Sequence, residues 1–240
     1  MIDLHSWLWL VLIASVAAVL RGLTGFGAAL IMAPALSIVV GARDAIALSM
    51  ALNTLMLVQL FIPAAKIALW RIVVPMAIGT VLAYQIGLHV FLAIDPVVAK
   101  RVIGIAGVVF ALLALVRWRW HRQSTASAVA IGAVTGMSLG VSGVGGPLAP
   151  LYIISGDGSA VLKRACMIAY TGIMQASAVP PLIVYKVLTP QLFVFALTAL
   201  PFALVMTHVG TKLFERTNEA SFRRLAIGLT VILGITAAIL

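Results

Sequence analysis

Three glycines and one small hydroxyl residue recur in this chain, each time inside a long apolar run. The first copy is Gly22-Leu23-Thr24-Gly25-Phe26-Gly27, preceded by Arg21. The second is Gly140-Val141-Ser142-Gly143-Val144-Gly145, followed by Gly146 and Pro147, and it lies 118 residues downstream. The chemistry on offer is binding through the main chain. Glycine lets a ligand approach the backbone closely, and a helix that restarts after a break presents unpaired N–H groups and the positive end of its dipole. Thr24 and Ser142 each add a hydroxyl donor. These donors all suit an anion. Arg21 adds a full positive charge after a long apolar stretch, and a cation at membrane depth is a candidate functional group. Its duplicate position is Leu139, so that charge belongs to one half only.

Two further runs carry polar residues at related places. Asn53 corresponds to Thr171 at the same offset, and Gln59 and Gln175 lie farther along. Such residues bond between helices or touch a ligand. The acidic residues are Asp3, Asp44, Asp95, Asp157, Glu215 and Glu219, all in tails or connecting segments. A carboxylate relay or cation site inside the membrane is therefore disfavoured. The lone Cys166 allows neither a disulfide framework nor a thiolate metal site, and no catalytic group, cofactor or metal is expected. His89 and His208 stand near the ends of their runs, as interfacial residues do.

The elements holding these residues are membrane helices. Of 240 residues, 63% are hydrophobic and 9% charged, with a mean hydropathy of +1.20. About 20 apolar residues cross a hydrocarbon core of about 30 Å, and the chain has little else. The formal charge of +10 does not indicate nucleic acid. Its cations cluster between apolar runs, where they set topology. Trp7 to Leu20 lacks the basic start and cleavage site of a signal peptide and is read as mature structure.

The repeat extends beyond the loops. Ala14, Ala18 and Gly22 match Gly132, Gly136 and Gly140, a small residue every fourth position for close helix packing. Apolar runs span 7–40, 45–62, 72–92 and 102–116, then 126–154, 165–185, 192–209 and 225–240. The chain is read as an all-α polytopic membrane protein of two homologous four-segment halves, 1–120 and 121–240. The first run of each half is too long for one span and is read as two helices broken at its glycine loop. A single crossing of each broken run would divide the loop cations 6 against 9, but if each dips in and returns, or crosses twice, Arg43, Lys100, Arg101 and Lys186 face one side. The remaining loop cations, among them Arg117, Arg119, Arg122, Lys163, Arg164, Lys212, Arg223 and Arg224, face the other. This strong bias predicts inverted halves, with both termini on the non-cytoplasmic side.

Gly22 to Pro34 and Gly140 to Pro150, with Gly145-Gly146-Pro147 and the Ala-Pro pairs at 33–34 and 149–150, resemble the TauE/SafE family of sulfite and organosulfonate transporters. The resemblance covers nearly the whole chain. It implies a carrier for a small sulfur-containing anion, sulfite or a sulfonate, in the bacterial inner membrane. Which anion, the direction, and a proton or sodium coupling ion are left open, as is a homo-oligomer in the lipid. The substrate-binding candidates are Arg21, Gly22, Thr24, Gly25, Phe26, Gly27, Asn53, Gly140, Ser142, Gly143, Gly145, Gly146, Pro147, Thr171 and Gln175.

Two other classes compete. A passive anion channel would use the same residues. Gly140-Val141-Ser142-Gly143 also fits the G-x-S-G pattern of rhomboid intramembrane proteases, with His208 as base. The duplicate Gly22-Leu23-Thr24-Gly25 weighs against that reading, because no paired histidine is needed to explain either loop.

Overall fold

A computed structural model describes residues 4–24, 28–113, 123–146 and 148–214. Among them the chain forms nine helices and no strand. They are α1 (Leu4–Thr24), α2 (Ala28–Val40), α3 (Ala42–Ala65), α4 (Trp70–Ala93), α5 (Pro96–Leu113), α6 (Thr125–Ser142), α7 (Leu148–Ser155), α8 (Ala160–Val184) and α9 (Pro190–Phe214). Six of these, α1, α3, α4, α6, α8 and α9, are long and apolar enough to cross a membrane. Large apolar side chains such as Leu82, Val58 and Val184 are exposed on their outer faces. That surface suits lipid rather than water.

Every described helix falls on an apolar run named above, but helices start earlier than the runs do. Hydropathy marks where charge ends, whereas capping marks where the backbone turns helical. Helix α5 opens at Pro96, with the Asp95 carboxylate accepting the Val97 N–H at 2.8 Å, so Lys100 and Arg101 lie inside it. Ser159 caps α8 by accepting from Leu162 N–H, which brings Lys163 and Arg164 into its first turns. Ser124 and Ser127 form a reciprocal capping box at α6. The run at 225–240 lies outside the described residues.

Two glycine seams fix the helix directions. Added methyl groups on Gly132, Gly136 and Gly140 of α6 would run into Met76, Thr80 and Tyr84 of α4 respectively. The two series rise together in steps of four, so α4 and α6 are parallel, their backbones in direct contact. Helices α1 and α9 pair in the same way. Gly22 meets Thr207 and Thr211, Gly210 meets Val19, and the Trp7 indole donates to Thr198 Oγ1 at 2.9 Å. This pair is also parallel.

Helices α3 and α8 cross at the centre. Both are buried over long stretches, Ala45–Asn53 and Ala165–Gly172. Gly172 packs against Leu57 and Phe61, and Ala165 and Ile168 cluster with Ala64, so these two run antiparallel. Thr80 and Tyr170 bond through their hydroxyls at 2.7 Å, and Tyr185 meets His89 at 2.9 Å. Helix α8 therefore runs alongside α4 in the same direction. Thr24 and Ser142, and likewise Ala42 and Ala160, are 118 residues apart, so helix boundaries keep the spacing of the sequence repeat.

Candidate functional site

Arg21 sits in the last turn of α1 with only 1% of its surface exposed. Its Nη1 donates to Asn53 Oδ1 at 2.7 Å, and its Nη2 donates to Gln175 Oε1 at 3.2 Å. Helices α1, α3 and α8 thus bring three of the sequence-predicted residues into one hydrogen-bonded cluster. Asn53 is aimed by its own helix. Its Nδ2 donates to Ser49 O at 2.7 Å, turning Oδ1 toward the guanidinium.

The cluster is not closed. Among the described residues the Nε–H of Arg21 has no hydrogen-bond partner, and neither does the buried Ser49 hydroxyl one turn before Asn53. Among the described residues no carboxylate pairs with Arg21, and it is the only buried charged side chain. Two neutral amides satisfy N–H groups but leave the charge whole. Burying an uncompensated cation is costly, so the arrangement fits an anion arriving from outside the protein.

The second glycine loop packs against α3, α5 and α8. Helix α6 ends at Ser142, and Gly143 follows in the left-handed conformation, φ 70° and ψ 4°, its N–H bonded to Leu139 O at 2.8 Å. Only glycine takes that conformation cheaply. Gly143 touches Ile46 of α3, Gly145 touches Met174 of α8 and Thr135 of α6, and Gly146 faces the Phe110 ring of α5. Met174 is the residue before Gln175 on α8, although neighbouring positions of a helix point in different directions. Helix α7 restarts the chain at Leu148.

Other candidates are placed differently. Gly22 and Gly140 lie inside α1 and α6, where they form the seams with α9 and α4. The Ser142 hydroxyl donates to Ser138 O at 2.8 Å within its own helix. Thr171 is buried on α8, one turn before Gln175. Thr24 ends α1, and its hydroxyl lies outside what the structure describes. Gly25, Phe26, Gly27 and Pro147 also lie outside the described residues. His208 is exposed on α9 whereas Ser142 is buried, which gives the protease reading no support.

Sequence reasoning missed Ser49 and Arg164. Ser49 is legible as a serine one helical turn before Asn53. Arg164 reaches from α8 to donate to Gly22 O at 3.1 Å, placing a cation at the carbonyl end of α1. Nothing in the sequence joins residues 142 positions apart. A cavity of about 610 Å³ also opens between the starts of α4 and α6 and the end of α7. Arg71, Gln123, Thr125, Tyr152 and Asp157 line it, and none of the Arg21 cluster does.

The comparisons with curated proteins and with solved structures give no match. A buried cation with no carboxylate partner among the described residues, in a bundle of membrane-length helices, accords with what the family comparison finds: a model described as sulfite exporter TauE/SafE matches residues 10–237, and the chain belongs to that transporter family.

Proposed function

We propose that the protein is a secondary carrier that moves a small sulfur-containing anion, sulfite or a related sulfonate, across the bacterial inner membrane. The observation that carries this reading is Arg21, buried, bonded to Asn53 and Gln175, and lacking a carboxylate partner among the described residues. The anion binds there, with the loop from Gly143 to Gly146 as a second wall. The family description names export, so outward movement is the direction we adopt.

The halves 1–120 and 121–240 act as inverted repeats in this scheme. Support comes from the parallel pairs α1–α9 and α4–α6, which exchange equivalent partners between halves, and from the antiparallel crossing of α3 and α8. The same directions put Arg43, Lys100, Arg101 and Lys186 at one end of the bundle and Lys66, Arg71, Lys163, Arg164 and Lys212 at the other. The richer end is cytoplasmic, and the start of α1 lies on the opposite side. Rocking of one bundle against the other gives alternating access.

Uptake by proteoliposomes tests the reading, using sulfite, methanesulfonate, sulfate and acetate under imposed proton or sodium gradients. Saturable uptake of a sulfur anion that is lost in Arg21→Gln supports it. A panel in which no anion is taken up or competes defeats it. Flux without counterflow would identify a channel instead.

A further inference from the structure

We infer, resting on the carrier reading above, that Arg21 sets the cargo at a single negative charge and makes the protein an exchanger, closing over a monoanion and failing to reorient when empty. Arg21 is the only buried charged side chain among the described residues, and its partners Asn53 and Gln175 are neutral. They orient the guanidinium and share its N–H groups without changing its charge.

Arg164, which reaches the end of α1, is only part-buried, so the fully buried charge of an occluded empty site is that of Arg21 alone, in a medium of low dielectric. With a monoanion bound the site is neutral. A dianion inverts the sign and restores the same penalty. The state that separates inward-open from outward-open is thus reached most easily with one monoanion inside. The Nε–H of Arg21 and the hydroxyl of Ser49, both buried and without partners among the described residues, are donors that an anionic oxygen can meet. A sulfonate group, with three oxygens and one charge, has that chemistry.

The experiment uses the purified full chain in proteoliposomes, with potassium and valinomycin clamping the membrane potential so that net anion entry is not self-limiting. Labelled methanesulfonate, singly charged throughout, is supplied outside. Vesicles contain unlabelled methanesulfonate, sulfate or neither. The expected result is uptake about 10- to 100-fold faster into methanesulfonate-loaded vesicles than into empty ones. Sulfate neither accelerates uptake from inside nor competes from outside. In Arg21→Gln the ratio of exchange to net uptake falls toward one in whatever flux remains, while Arg21→Lys keeps it raised. Saturable uptake with equal rates into loaded and empty vesicles, or equal competition by sulfate, overturns this inference and leaves the carrier reading standing. Absence of any saturable anion uptake overturns the carrier reading itself. If Arg21→Gln does not fold, the wild-type comparisons still decide.

Discussion

Nη1 of Arg21 and Oδ1 of Asn53 lie 2.7 Å apart, joining the last turn of α1 to the middle of α3. The bond pairs a full charge with a neutral amide. Converting that amide to a carboxylate would put a fixed counterion where the transported anion is proposed to act.

Asn53→Asp is accordingly expected to separate stability from transport. The introduced carboxylate keeps the hydrogen bond to Arg21 and removes the uncompensated charge, but it loses the donor to Ser49 O, so the two effects offset and thermal stability in detergent should change little. Anion uptake should fall by about 100-fold, since the anion loses its electrostatic partner. Asn53→Leu should lower both, because it leaves a guanidinium N–H unmet at a cost of roughly 1–3 kcal/mol. A transport-competent Asn53→Asp would show that the charge of Arg21 is not what the anion meets.

The seam between α4 and α6 predicts a packing effect. In Gly136→Val the new side chain meets the Thr80 backbone, with no flexible group to give way. Overpacking of this kind costs about 1–3 kcal/mol, seen as a fall of several degrees in melting temperature. Gly41→Ala meets no atom within 4 Å but carries φ 84°. Its cost is backbone strain alone, about 1–3 kcal/mol, because φ 84° with ψ 163° is a region that only glycine adopts readily.

Helix directions predict side-specific labelling. In a Cys166→Ala background, single cysteines replacing Lys66 and Lys163 should react with an impermeant maleimide from one side. Those replacing Arg43 and Lys186 should react from the other. Labelling of Lys66→Cys and Arg43→Cys from the same side would break the inverted arrangement.

Ser142→Ala tests the protease alternative and the role of the loop hydroxyl. That hydroxyl is already committed to Ser138 O at 2.8 Å. The variant should keep at least about half of the transport rate and lose on the order of 1 kcal/mol of stability. Wild-type protein should cleave no peptide substrate. A Ser142-dependent cleavage would reinstate the enzyme.

The helices are legible from sequence because hydropathy reports burial in lipid directly. Their starts are displaced, since Asp95, Ser124 and Ser159 act through capping that hydropathy does not register. Arg21, Asn53 and Gln175 stand out singly as polar groups in apolar runs. Their convergence does not, because it depends on where α3 and α8 cross. In sequence the glycine loops form one kind of feature, and the structure separates two. Gly22 and Gly140 continue the small-residue faces begun at Ala14 and Gly132, and close approach of two backbones demands them. Gly143 instead supplies a left-handed cap. One residue type meets two physical needs within four positions.

The seam between α1 and α9 bears on how the chain is made. Trp7 and its partner Thr198 are separated by 191 residues, and Arg21 and Gln175 by 154. Ribosomes add about 5–20 residues per second, so α1 waits roughly 10–40 s for the helix that covers its glycine face. Of the described spans, α1 is made before the others and waits longest for a packing partner. A nascent chain that stops short of α9 holds every member of the Arg21 cluster but lacks the helix that clamps α1 in place.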